Sequence, residues 1–110
     1  MAKSPEVEFF YDCSSPWTYL GFTRILPMME GFGLPLRLSP VLVGGIFNAV
    51  NQELYSSREA MFNAENSSRL NYYIKDLEDW AKFCHLTIVS PQNHPISSVK
   101  VMRGALYAEE

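Results

Sequence analysis

One short segment combines residue types that can do chemistry: DCSSPW, residues 12–17, directly after an apolar run. A serine before a proline predicts that a helix begins here, because Ser15 can cap the first turn and Pro16 needs no N–H there. The free N–H groups and the macrodipole of a helix N-terminus favour an anion, and a hydroxyl at that point can donate to a thiolate. Such a site lowers the pKa of a bound thiol, which is then a better nucleophile at neutral pH. From these residues alone, a plain N-cap is the favoured interpretation of Ser15.

Other chemically reactive side chains form weaker patterns. Cys13 is either a reactive thiol at the same helix start or, more commonly for such a position, an inert residue that ends a buried strand. A metal site built from Cys84, His85 and His94 lacks a fourth ligand and the spacing of a zinc finger. No metal is therefore predicted.

The elements that must position the DCSSPW segment follow an α/β order. Val7–Tyr11 reads VEFFY and predicts a parallel strand that is covered on both faces. A helix is expected over about 16–29, ended by Gly31 and Gly33. Leu34–Leu42 is a second extended segment, which completes a βαβ unit.

Helices are expected after this unit. Residues 44–66 are small and polar with no clear period, which predicts loop and irregular helix. A clear helical period over Leu70–His85 predicts an amphipathic helix. Ser97 or Ser98 can cap a last helix, and its expected buried side carries Val99, Met102, Ala105 and Leu106.

Aromatic residues supply the expected core and one expected pocket residue. Trp17, one residue past the proline, is expected to line a hydrophobic substrate pocket. The core candidates are Phe9, Phe10, Tyr19, Phe22 and Trp80.

Composition limits the classes of protein that fit. The 110 residues, 47% of them hydrophobic, can build one core. Nine Lys and Arg against twelve Asp and Glu give a net charge of −3, which argues against a nucleic-acid partner. No apolar run reaches the roughly 18 residues of a membrane span, the first residues lack the order of a signal peptide, and two cysteines suit a reducing compartment. A cytoplasmic protein without a membrane partner is expected.

Four motifs in order carry a family resemblance: VEFFYDCSSPWTYLGFTRIL, SPVLVGGIFNAVN, YYIKDLEDWAKFCHLTI and HPISSVKVMRGALYA. Together they resemble the kappa-class glutathione transferases and the 2-hydroxychromene-2-carboxylate isomerases, in the DsbA-like branch of the thioredoxin superfamily. The resemblance implies a thioredoxin-like βαβ start over 1–43 and an all-helical insertion over 44–110, without the C-terminal part of the thioredoxin fold. The chain is then expected to correspond to about the first half of an enzyme.

The resemblance also implies the cofactor and the catalytic residue. Glutathione is the cofactor of the family, and the family's catalytic serine corresponds to Ser15, with Pro16 and Trp17 beside it. Redox-active relatives have Cys-Pro-x-Cys at this turn, where this chain has Ser15-Pro16-Trp17-Thr18. Dithiol exchange through that motif is therefore excluded.

Two further cofactor-binding positions follow from the resemblance. Relatives bring an asparagine near glutathione, and Asn51 or Gln52 occupies that place here, depending on a one-residue shift. A basic residue that approaches the ligand in relatives matches Arg69. The alternative interpretation, equally favoured, is that Arg69 is a solvent-exposed charge at the start of a helix.

The function that the resemblance implies is a glutathione-dependent isomerase, in which the thiolate adds reversibly to a small conjugated or aromatic substrate. The alternatives are a kappa-type glutathione transferase, a single-cysteine thiol oxidoreductase at Cys13, and an inactive fragment or dimerisation module. Because two strands are few for an independent sheet, a homodimer is expected.

Overall fold

The computed structural model describes residues 3–93 and 97–110. Within these ranges a strand, a helix and a strand come first, and four helices follow, in agreement with the predicted α/β class. In chain order the elements are β1 (Val7–Tyr11), α1 (Pro16–Phe32), β2 (Leu36–Pro40), α2 (Val43–Val50), α3 (Gln52–Asn63), α4 (Ser68–Phe83) and α5 (Val99–Glu109).

The two strands form a parallel pair joined by α1. Val7 lies opposite Leu36, and Tyr11 lies opposite Pro40. Parallel neighbours need a crossover, and α1 supplies it. The carboxyl end of β1 therefore leads directly into the start of α1, where the DCSSPW segment lies.

The prediction that β1 is covered on both faces is wrong. Exposure alternates along the strand, with Phe9 half-buried and Phe10 59% exposed. The ring of Phe9 packs against Phe22 of α1, with centroids 6.3 Å apart. With more than half of its surface exposed, Phe10 is not a core residue, so this core candidate is also wrong.

Helix α1 begins where the sequence predicts and ends later. Ser15 is its N-cap and Pro16 its first residue. The helix continues through Pro27 to Phe32, so the expected end near 29 is too early. Gly33, at φ 64°, closes the helix in the left-handed conformation that glycine adopts without a Cβ clash.

Two regular helices, α2 and α3, occupy most of residues 44–66, which corrects the prediction of loop and irregular helix. No residue of α2 is buried, and Met61 alone is buried among those of α3. Helix α2 is only eight residues long, too short for a helical period to be recognised in the sequence, and α3 has no clear apolar stripe. Asn51 separates them and caps α3 by accepting a hydrogen bond from the backbone N–H of Leu54 at 3.0 Å.

Helices α4 and α5 are present as predicted, although parts of their expected buried faces are exposed. Ala81 of α4 and Met102 of α5 are buried, whereas Val99 and Leu106 are exposed. Trp80 and Tyr19 are 48% and 47% exposed, so neither is a core residue. Helix α4 packs against α1 and α3, and α5 packs against β2.

Little of the apolar surface is buried. Within the described residues, the buried hydrophobic side chains are Leu20, Met29, Met61, Ala81 and Met102. The radius of gyration is 16.3 Å, whereas a compact chain of this length has about 13 Å. The elements therefore hold an open arrangement with large exposed apolar faces.

Candidate active site

Ser15 lies at the junction between β1 and α1. Its backbone is extended, and its Oγ accepts a hydrogen bond from the N–H of Thr18 at 3.2 Å, the contact of an N-cap. A hydroxyl that accepts in this way keeps its own hydrogen as a donor. Ser15 is half-buried. It thus combines a free O–H donor with the positive end of a 17-residue helix.

Asp12, which no sequence pattern indicated as a site residue, anchors this turn. It is 1% exposed. One carboxylate oxygen accepts from both the N–H and the hydroxyl of Ser14, each at 2.9 Å. The other accepts from the N–H of Val43 at 3.0 Å, and the hydroxyl of Ser98 also donates to the carboxylate. An acidic residue directly after an apolar strand was the one signal that could have revealed this role.

The charge of Asp12 is stabilised by these donors. Burial acts to raise its pKa, but the hydrogen bonds from Ser14, Ser98 and Val43 outweigh burial, so the pKa of Asp12 lies below its usual value. The carboxylate is therefore ionised at neutral pH and joins the starts of three helices, α1, α2 and α5.

Helix α5 reaches the turn through two residues. Ser98 occupies the N-cap position of α5 but makes no side-chain capping bond. Its hydroxyl bonds Asp12 instead, which corrects the expectation that it caps the helix. The backbone N–H of Cys13 points at the sulfur of the buried Met102, 3.4 Å away.

Two clefts flank the turn and share Ser14, Ser15 and Pro16 in their lining. We call the first the α4 cleft. It has a volume of about 650 Å³ and is lined by residues that include Cys13, Tyr19, Ile74, Leu77 and Lys82. We call the second the α3 cleft. It has a volume of about 690 Å³ and is lined by residues that include Trp17, Val43, Phe47, Tyr55 and Arg58. Both volumes lie in the range of small-molecule sites.

Two aromatic side chains line both clefts. Tyr73 and Phe62 line both, with ring centroids 5.4 Å apart in an edge-to-face contact. The indole N–H of Trp17 donates to the hydroxyl of Tyr73 at 3.1 Å, which ties α1 to α4. Trp17 lines the α3 cleft, while its role towards a substrate stays a prediction.

Three of the predicted cofactor-binding residues lie elsewhere. The side-chain oxygen of Asn51 is engaged in capping α3. Arg69 donates to the hydroxyl of Ser57 at 3.0 Å. The described residues that line the two clefts do not include Asn51, Gln52 or Arg69. The structure thus places Ser15, Pro16 and Trp17 together and leaves the other three outside the clefts.

The remaining reactive groups are dispersed. Cys13 is exposed and lines the α4 cleft, whereas Cys84 is half-buried. His94 lies outside the described residues. Residues 3–93 and 97–110 contain no group of three or more His, Cys, Asp and Glu that could hold a metal ion. In the same ranges, no helix is long and apolar enough to cross a bilayer.

Comparison with known proteins identifies the family. The sequence model of the family described as DSBA-like thioredoxin domain matches residues 6–110, so the chain belongs to that family. The resemblance drawn from the four motifs and the thioredoxin-like start are confirmed.

Two curated relatives are named 2-hydroxychromene-2-carboxylate isomerase. The one from Pseudomonas putida is 26% identical over 88 residues, which cover 80% of this chain and 40% of the relative. The one from Pseudomonas sp. (strain C18) is 24% identical over 102 residues, which cover 93% of this chain and 44% of the relative. The chain thus spans less than half the length of these relatives. No solved structure matches it significantly.

Proposed function

We propose that this chain supplies the thiol-activating part of a glutathione-dependent isomerase of the 2-hydroxychromene-2-carboxylate type. The observation that carries the proposal is the position of Ser15, whose hydroxyl lies at the positive end of α1 and at the meeting point of two clefts. Two clefts that meet at Ser15 give room for two molecules, a thiol cofactor and a conjugated substrate. The names of the two curated relatives support the same reaction class.

In the proposed reaction, the Ser15 hydroxyl donates to the sulfur of glutathione and holds it as the thiolate. The thiolate forms a C–S bond with one carbon of a conjugated double bond, and the π electrons move into the conjugated system. Rotation about the resulting single bond follows. The electrons then return, the C–S bond breaks and the thiolate leaves, so glutathione is regenerated and nothing is oxidised or reduced. Thr18 stands where a dithiol motif needs its second cysteine, in keeping with a reaction without redox change.

A second candidate is a single-cysteine thiol oxidoreductase. The exposed Cys13 lies in the α4 cleft two residues before Ser15, which favours it. A Cys13→Ser variant separates the two candidates, because the isomerase keeps its turnover and a cysteine-based activity is lost. We also propose that the protein works in the cytoplasm and as a homodimer, which sedimentation of the chain would test.

The isomerase proposal is tested with Ser15→Ala. We expect at least about a hundredfold loss of glutathione-dependent turnover, a size usual for the loss of one donor to a developing anion. The pKa of bound glutathione, followed by thiolate absorbance against pH, should rise. Ser67→Ala is the matched control, since Ser67 caps α4 outside both clefts. Undiminished turnover in Ser15→Ala overturns the proposal.

A further inference from the structure

Arg58 of α3 is a half-buried cation in the lining of the α3 cleft. Its guanidinium carbon lies 5.6 Å from the centre of the Phe47 ring, which also lines that cleft. Stacking on a ring restrains a guanidinium without using its N–H donors. The side chain is thus held at the cleft with its hydrogen-bonding capacity left for a ligand.

The carboxylates near Arg58 do not neutralise it. Glu59 lines the same cleft but is the next residue of the helix, and successive side chains on a helix do not face each other. Asp12 has its oxygens engaged by Ser14, Val43 and Ser98. In the described part of the chain, no ion pair involves Arg58.

We infer that Arg58 binds a carboxylate of the ligand that occupies the α3 cleft beside Ser15. The inference deepens the proposed function, on which it rests, and concerns a different residue from Arg69, which was predicted from the resemblance to bind the cofactor. A planar guanidinium matches a carboxylate with two parallel hydrogen bonds. The carboxylate comes from glutathione or from an aromatic acid substrate, and the two sources can be told apart.

The test is a titration of a Trp80→Phe background of this chain, in which Trp17 in the lining of the α3 cleft is the remaining tryptophan, followed by its fluorescence and by calorimetry. The probes are glutathione and its glycyl ethyl ester, and cinnamate and its methyl ester. The variants are Arg58→Gln and, as the matched control, Arg24→Gln. Arg24 also stacks on a ring, with its guanidinium carbon 5.0 Å from the centre of Phe83, but it lines neither cleft.

We expect Arg58→Gln to weaken the binding of one carboxylate probe about tenfold or more, the effect of losing a charge-assisted contact. Arg24→Gln should change binding less than twofold. For the carboxylate of cinnamate or of the glycine of glutathione, the ester should bind the wild type as weakly as the free acid binds Arg58→Gln. A glycyl ester that binds as well as glutathione, with Arg58→Gln weakening both, assigns the contact to the γ-glutamyl carboxylate. An effect on glutathione assigns the carboxylate to the cofactor, and an effect on cinnamate assigns it to the substrate.

Two outcomes overturn the inference. One is that neither acid depends on Arg58. The other is that Lys82→Gln weakens binding of the acid and Arg58→Gln does not, since Lys82 is a cation in the lining of the α4 cleft. If glutathione binds, but neither Arg58→Gln nor esterification of the ligand changes its affinity, the inference fails while the proposed function stands. If glutathione does not bind and cinnamate binds through Arg58, the proposed function fails while Arg58 keeps its role as a carboxylate-binding residue.

Discussion

The buried carboxylate of Asp12 accepts a hydrogen bond from the backbone N–H of Val43, 31 residues further along the chain, at 3.0 Å. Val43 is the first residue of α2, so this bond connects the turn before α1 to the start of the helical region. The same carboxylate binds Ser14, the neighbour of Ser15, and Ser98 at the start of α5. Asp12 is therefore a positioning residue, which acts on the site through the backbone that it holds.

Asp12→Ala should lower the free energy of unfolding by about 3 kcal/mol, because buried donors left without an acceptor cost about 1–3 kcal/mol each. Urea unfolding followed by circular dichroism measures the loss. The control is Asp79→Ala, which removes an exposed carboxylate paired with Lys75 and should leave the urea midpoint nearly unchanged. Equal effects of the two substitutions would contradict the anchoring role of Asp12.

The free energy of unfolding should fall in acid because the Asp12 carboxylate becomes protonated. The pKa of Asp12 is lowered in the folded chain, so its stabilising contribution is fully present above its unfolded pKa of about 3.9. That contribution is lost as the pH falls below this value and through the folded pKa. Urea unfolding of the wild type and Asp12→Asn between pH 3 and 7 should show the gap between them narrowing towards pH 3. A gap that stays constant with pH would contradict it.

The contribution of Ser15 to helix stability can be separated from its proposed role in binding glutathione by comparing two N-caps. Ser15 accepts from Thr18 N–H at 3.2 Å and Ser67 accepts from Leu70 N–H at 3.3 Å. Loss of a serine cap costs about 1 kcal/mol, so both alanine variants should lose similar stability in urea. Only Ser15→Ala should impair the binding or ionisation of glutathione. A similar loss of binding in Ser67→Ala would attribute the effect to helix stability.

The sequence predicted the elements whose local signals are strong. Ser15-Pro16 marks the start of α1, Gly33 marks its end, and the apolar period of α4 marks that helix. Helix α2 was missed because its eight residues are too few to establish a helical period, and α3 was missed because its residues form no clear apolar stripe. Exposed positions such as Phe10 could not be predicted, since apolarity alone does not tell which face of a strand another element covers.

The site was predictable only in part, for a similar reason. Ser15 follows from a local pattern, but the anchoring by Asp12 depends on Val43 and Ser98, which lie far away in sequence. Arg58 lies in a segment without any periodic signal, and its position at the cleft depends on how α3 packs against α2 and α4. Contacts between distant segments decide these roles, and a single sequence does not display them.

Ligand binding near Ser15 should protect Cys13 from alkylation. Cys13 is exposed and lines the α4 cleft, whereas Cys84 is half-buried and lines neither cleft. Iodoacetamide labelling followed by mass spectrometry should therefore modify Cys13 several times faster. Saturating S-hexylglutathione should slow the labelling of Cys13 at least about fivefold and leave Cys84 unchanged. Equal labelling of Cys13 with and without the ligand would argue against binding in the α4 cleft.

The hydrogen bond from Trp17 to Tyr73, at 3.1 Å, should couple helix α1 to α4 energetically. Trp17→Phe and Tyr73→Phe each remove the bond and keep an aromatic ring, so the edge contact of these rings is largely retained. A double-mutant cycle in urea should give a coupling energy of about 1 kcal/mol, the usual net value of one partly buried hydrogen bond. The pair Tyr72→Phe and Trp17→Phe is the control, because Tyr72 is 71% exposed, and its coupling should be near zero. Additive effects of Trp17→Phe and Tyr73→Phe would show that this hydrogen bond does not couple the two helices.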